Sequence, residues 1–131
     1  MNAMNAIGTV RDVQTVPGRA HQRVLTIVLE GELPLDELER IGEEILKLSV
    51  RGLRNVVMDF SEVSHLDYRG LRPLVARAQE VRRAGGDIKV SGLSAYLMYI
   101  FRAAGVHDAF QFFADPENAR ASFGEVARLA G

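Results

Sequence analysis

Along this chain the spacing of apolar residues switches repeatedly between strand-like and helix-like, and that switching leaves few folds open. The stretch RVLTIVLEG, Arg23 to Gly31, is aliphatic and β-branched on both faces, as a central strand is. IGTVRDVQTV precedes it and VPGRAHQ reads as the turn between the two, which predicts an antiparallel hairpin. From Leu35 to Leu48, the residues Leu38, Ile41, Ile45 and Leu48 recur at intervals of three and four, with Pro34 at the entry and Gly52 past the exit, the pattern of an amphipathic helix. NVVMDF reads as a short buried strand followed by a loop from Phe60 to Asp67. Leu71, Leu74, Val75, Ala78 and Val81 then form a helical stripe stopped by Gly85-Gly86. DIKVSG is the next strand, Ser94 caps a third helix that runs to Gly105, and FQFF is a short strand. Asp115-Pro116 opens a last helix with Ala119, Phe123, Val126 and Ala127 inward.

Strand then helix, repeated after an initial hairpin, predicts an α/β fold: a mixed sheet, mostly parallel, with an antiparallel edge hairpin and about four helices. Right-handed crossovers put the functional groups at the carboxyl ends of the strands. A length of 131 residues, 47% hydrophobic and 25% charged, suits one domain, expected over 7–131 behind a disordered 1–6. The net charge of −1, with scattered Lys and Arg, offers no basic stripe for a phosphate backbone. Without cysteine there is no disulfide, thiolate catalysis or Cys-ligated zinc. MNAMNA lacks the character of a signal peptide and no apolar run approaches the ~20 residues of a membrane span, so a cytoplasmic protein is expected.

The most informative stretch is DFSEVSHLDYRG, Asp59 to Gly70, placed where the strand NVVMDF ends. It resembles the signature of the STAS domain, the anti-sigma factor antagonist family: Asp, apolar, Ser, any residue, apolar, two variable residues, apolar, Asp, two Ser or Thr, then Gly. Asp59, Phe60, Ser61, Val63, Leu66, Asp67, Gly70 and the following Leu71 agree with it. GEL at Gly31 to Leu33 is similar to the family's turn into its first helix. SAYLMYIFRAAGVHDAF is similar to its third helix, followed by Gly, an aliphatic residue and a final Phe. The resemblance runs from about Arg23 over nearly the whole chain and implies a STAS-like sheet in the order of elements already given.

Within the signature the chain departs from the family. The second hydroxyl position, which the resemblance implies a partner serine kinase would phosphorylate, holds Arg69, and the first holds Tyr68. A phosphoserine at a helix amino terminus adds negative charge where unpaired N–H groups and the dipole favour it. An arginine brings the opposite sign, at a cost of roughly 0.3 to 1 kcal/mol, while Asp67 as N-cap contributes about 1 kcal/mol the other way. If the helix begins at Asp67, Pro73 falls in its second turn and leaves the Arg69 carbonyl without its donor, unless the helix starts later. Arg69 is open to two readings: a drifted surface residue, or a planar fork for a carboxylate or phosphate of a partner. The third helix departs too, because AYLMYIF adds Tyr96, Met98 and Tyr99 to the core positions Leu97, Ile100 and Phe101. A helix apolar nearly all round is buried on more than one side, whether by a partner or by its own domain.

Catalytic readings are weak. His65 and Asp67 flank Leu66, with Asp59 and Ser61 close in sequence, yet no nucleophile elbow surrounds Ser61 or Ser64, and one histidine with two acids does not make a metal site. His21 and His107 show no partners in the sequence. No Walker lysine or dinucleotide-binding glycine spacing occurs, so no cofactor is expected. Ser61 is expected to make a turn hydrogen bond, with phosphorylation of Ser61 or Ser64 a fallback for the missing site.

The function expected is a non-catalytic, bacterial-type interaction module for signalling and regulation of transcription, not an enzyme. It docks a protein partner through Asp67, Tyr68, Arg69, Gly70 and Leu71 at the helix start and through Tyr96, Met98 and Tyr99 of the third helix, without phosphorylation at position 69. The resemblance implies an anti-sigma serine kinase or related regulatory kinase as partner, and self-association stays open. Two alternatives remain: a structural subunit of a stressosome-like or transporter assembly, and a domain holding an anion or nucleotide on Arg69. Neither nucleic acid nor membrane insertion is expected.

Overall fold

The computed structural model describes residues 9–15 and 23–130. The expected disordered stretch 1–6, the hairpin turn 16–22 and His21 within it lie outside the described residues. Among the described residues five strands form one sheet in the order β1 (Thr9–Thr15), β2 (Arg23–Leu33), β3 (Asn55–Leu66), β4 (Asp87–Ser91) and β5 (Phe112–Phe113). β2 to β5 run parallel, and β1 pairs antiparallel with β2 at the edge. Among the described residues four helices accompany them: α1 (Leu35–Val50), α2 (Leu71–Arg83), α3 (Ala95–Ala103) and α4 (Pro116–Ala130).

The alternation of side chains along each strand divides the fold into layers. Leu25, Ile27 and Leu29 of β2 and Val56, Met58 and Phe60 of β3 point to one face, where they bury Leu38, Ile41 and Ile45 of α1, Leu74, Ala78 and Val81 of α2, and Leu97, Ile100 and Phe101 of α3. Leu48 and Val75 pack at the margin of this core, half-buried. The opposite face carries Val24 and Val57, which α4 covers with Ala119 and Phe123. The side chains of Val126 and Ala127 lie outside the described residues. This second face also buries polar groups. Lys89 is 3% exposed, its Nζ donates to Ser122 Oγ at 2.6 Å and lies 4.2 Å from the centre of the Phe123 ring.

Asp59, 5% exposed on that face, accepts hydrogen bonds from Ser61 Oγ at 2.7 Å and Ser91 Oγ at 2.9 Å. The second bond ties β3 to β4 at a pair of register partners. Gly92, at φ +74°, follows directly, and a Cβ there would stand 2.6 Å from Asp59 Oδ1. The family-like Asp and Ser of the signature therefore brace the sheet. Ser61 makes its hydrogen bond within a strand rather than in a turn, a correction to the sequence expectation.

β3 also runs six residues past the expected end at Phe60, so the loop from Phe60 to Asp67 is strand up to Leu66. Its pairing with β2 shifts between Val28 and Glu30 and again between Gly31 and Glu32. Such bulges break the two-residue alternation that marks a strand in sequence. Only Val63 and Leu66 are buried in this extension, three apart.

Candidate functional site

Leu33 and Leu66 are register partners at the carboxyl ends of β2 and β3, and the Asp67 N–H donates to the Leu33 carbonyl at 3.0 Å. From there the chains part, one into α1 through Pro34 and one into the turn before α2. The space left between them is closed on its third side by α3. A groove of about 640 Å³ results. Its floor is Leu33, Leu66 and Ile100, and its walls include Tyr68, Tyr96 and Tyr99 together with Glu32, Glu37, His65 and Asp67.

The wall from β3 is built by a cap. Asp67 accepts the Arg69 N–H on Oδ1 at 3.0 Å and so caps a short 3-10 turn, Tyr68–Gly70, after which α2 begins at Leu71. The helix thus starts later than Asp67, Pro73 is the third residue of α2, where an N–H has no intrahelical partner in any case, and Arg69 lies outside the helical ladder. Gly70 is buried because the turn lies directly against α1: a Cβ there would stand 2.7 Å from Leu38 Cβ. Tyr68 is left 62% exposed beside the groove.

Arg69 folds its guanidinium back onto the same carboxylate. Nε donates to Oδ1 at 3.0 Å and Nη2 to Oδ2 at 2.6 Å, while the side chain stays 63% exposed. The hydrogen bonds from the Arg69 side chain and backbone N–H hold the Asp67 carboxyl at about 2, below the ordinary 3.8, and the Asp67 carboxylate in turn raises the Arg69 guanidinium. Because the folded value is depressed, the stability this pairing contributes is present above about pH 4 and is lost as pH falls through about 2. Carbon-detected NMR titration of Asp67 is expected to show the low value, and Arg69→Ser to return it toward 3.8. A wild-type midpoint near 3.8 would show that the fork does not form.

On α3, Ser94 Oγ accepts the Leu97 N–H at 3.1 Å as expected for the cap. Leu97, Ile100 and Phe101 face the core, which turns Tyr96 and Tyr99 outward at 50% and 69% exposure. The Tyr96 hydroxyl meets His65 Nδ1 at 2.7 Å and the two rings stack, centres 5.8 Å apart, so α3 is pinned to the end of β3.

The structure thus brings Asp67, Tyr68, Tyr96 and Tyr99 of the expected docking residues around one groove. Arg69 flanks it, turned to Asp67. Met98 is half-buried and outside the lining, and Gly70 and Leu71, with Leu71 at 0% exposure, face inward, which removes all three from the groove wall. Ser61 and Ser64 stand exposed on β3, outside the lining. Glu32 and Glu37 join the lining with no mark in the sequence, and His65, expected in a loop, lies on β3. Register is the missing signal: parallel pairing sets Glu32 directly across from His65. Among the described residues no group of His, Asp and Glu is placed to hold a metal ion, and no helix is long and apolar enough to cross a membrane.

Comparison with known proteins agrees with this architecture. BtrV of Bordetella bronchiseptica, a candidate anti-sigma factor antagonist, is 24% identical over 100 residues, covering 76% of this chain and 86% of BtrV. The Thermotoga maritima candidate anti-sigma factor antagonist TM1081 superposes with a TM-score of 0.70 at 12% identity, over 96% of this chain and 98% of that one. The phosphorylated Bacillus cell fate determinant SpoIIAA superposes with a TM-score of 0.58 at 19% identity, over 90% and 97%. At such identities the superpositions show a shared fold. The family model for the STAS domain matches residues 16–119, most of the sequence, and the chain belongs to the STAS domain family.

Proposed function

We propose that this chain is a non-catalytic interaction module of the anti-sigma factor antagonist kind, acting in the cytoplasm. It docks a regulatory protein, an anti-sigma serine kinase or a related kinase, over the groove between the Asp67–Gly70 turn and α3. The observation that carries this reading is the clustering of Tyr68, Tyr96 and Tyr99, three exposed aromatic side chains from two distant segments, around one open concavity. Solvent-exposed tyrosines gathered at one place are what partner surfaces use, since each offers a large rigid contact at low entropic cost.

A non-catalytic role is supported by where the reactive groups point. The Ser61 hydroxyl is given to Asp59 and the His65 imidazole is joined to Tyr96, so hydroxyl, imidazole and carboxylate form no relay. An anion or nucleotide seated on Arg69 is disfavoured, because Asp67 already occupies the guanidinium and the groove beside it is walled by Glu32, Glu37 and Asp67. At position 69 the usual modification has no hydroxyl to act on, and the docking face is therefore unswitched there.

Affinity capture tests the reading. Tyr99→Ala is expected to weaken recovery of the partner kinase by about 2 kcal/mol or more, while unfolding free energy changes by less than about 0.5 kcal/mol. Undiminished capture by Tyr99→Ala would refute the docking face, and capture of scaffold or transporter subunits instead of a kinase would assign the chain a structural role. With the captured kinase and ATP, mass spectrometry is expected to find no phosphate between Asp67 and Gly70. Phosphate on Tyr68 would contradict the unswitched state.

A further inference from the structure

We infer that the groove is built to clasp a guanidinium, an arginine side chain presented by the docking partner. This rests on the docking reading above and adds the chemistry of what is docked. The chain has three tyrosines and no tryptophan, and all three tyrosines line this one groove. Phenol rings attract a cation over their faces, and a planar guanidinium also stacks on them.

The charges on the walls have the complementary sign. Glu32, Glu37 and Asp67 are carboxylates, and among the described residues neither Lys nor Arg lines the groove. Asp67 is forked by Arg69 from the flank, but Glu32 and Glu37 have no ion-pair partner among the described residues. The one imidazole in the lining, His65, is engaged with Tyr96. A purely apolar segment laid into this space would strip water from two unpaired carboxylates and return nothing for it. An incoming anion would meet like charge. A guanidinium satisfies both surfaces at once, its edge donating to the carboxylates and its face resting on the rings, which an ammonium on a flexible stem does less well. The volume of about 640 Å³ exceeds one side chain and leaves room for the backbone that carries it.

The absence of tryptophan makes the test direct, because intrinsic fluorescence then comes from the groove tyrosines alone. Acetyl-arginine amide, titrated at constant ionic strength, is expected to change tyrosine emission saturably in the millimolar range. Acetyl-citrulline amide, of the same shape but uncharged, should bind about tenfold more weakly or not at all. The double variant Glu32→Gln/Glu37→Gln should weaken the arginine probe about tenfold and leave thermal unfolding unchanged. Equal binding of the citrulline and arginine probes, or undiminished arginine binding by the double variant, would overturn the inference. Its failure is separable from that of the docking reading. Partner capture lost in Tyr99→Ala but kept in the Glu variant leaves docking intact and rejects the arginine, whereas capture reduced in both supports it.

Discussion

Phe101→Ala is expected to lower the unfolding free energy by about 3 to 5 kcal/mol, among the largest effects of any single substitution in the described chain. Phe101 is 0% exposed and meets three other phenylalanines edge to face: Phe60 of β3 at 5.9 Å, Phe112 of β5 at 5.6 Å and Phe110 at 6.1 Å between ring centres. Each such pair adds about 0.5 to 1.5 kcal/mol beyond the burial of its area, and removing the shared ring forfeits all of them while leaving a cavity between α3, β3 and β5. The same ring seats α3, on which Tyr96 and Tyr99 stand five and two residues earlier, so a loosened seat also spreads the groove. Urea unfolding measures the first effect, and hydrogen exchange of the α3 amides the second. Tyr99→Ala, on the opposite side of the same helix, is the control that should leave both nearly untouched. A loss below about 1 kcal/mol for Phe101→Ala would mean that the surrounding rings collapse into the space and that another contact holds α3.

The contrast between Phe101 and Tyr99 is legible in the sequence, because helical period separates Leu97, Ile100 and Phe101 from the tyrosines. So are the caps Asp67 and Ser94, whose side chains accept the hydrogen bonds their type implies. What cannot be read is whatever depends on register between distant segments. Ser61, Glu62, Ser64 and His65 look like a polar loop, yet they extend β3 because the bulged β2 supplies its pairing partners. That extension carries His65 across from Glu32, and with it the acidic wall whose members stand some thirty residues from the turn they face. Gly70 and Leu71 group with the proposed docking residues in sequence because they follow Arg69 without interruption. Contiguity misleads there: a 3-10 turn swings the chain inward within three residues, so Tyr68 and Arg69 face water while Gly70 faces Leu38. The polar layer under α4, with Lys89 buried against Phe123, has no sequence signal, since a lysine in a strand reads as an exposed position.

The inward swing at Gly70 yields the last expectation. A Cβ on this residue would stand 2.6 Å from Leu38 Cδ1 and 2.7 Å from Leu38 Cβ, closer than carbon atoms approach, and Leu38 is itself 0% exposed. The backbone at Gly70 is ordinary, with φ −80° and ψ −10°, so glycine is required for space and not for conformation. Gly70→Ala is therefore expected to cost about 1 to 3 kcal/mol by overpacking, and Leu38→Ala about 2 to 5 kcal/mol by leaving a cavity. Combined, the two should cost less than their sum by about 1 kcal/mol, because the added methyl enters space that the leucine vacates. The rescue is partial, since alanine at position 38 keeps the Cβ that crowds the site. If the clash is instead relieved by displacement of the turn, the Asp67 to Arg69 fork moves with it, and the Asp67 midpoint in Gly70→Ala rises from about 2 toward 3.8 and falls back in the double variant. Strictly additive stabilities together with an unmoved Asp67 midpoint would show that this contact does not set the turn, and that something other than the packing of Gly70 on Leu38 holds the tyrosine and arginine at the mouth of the groove.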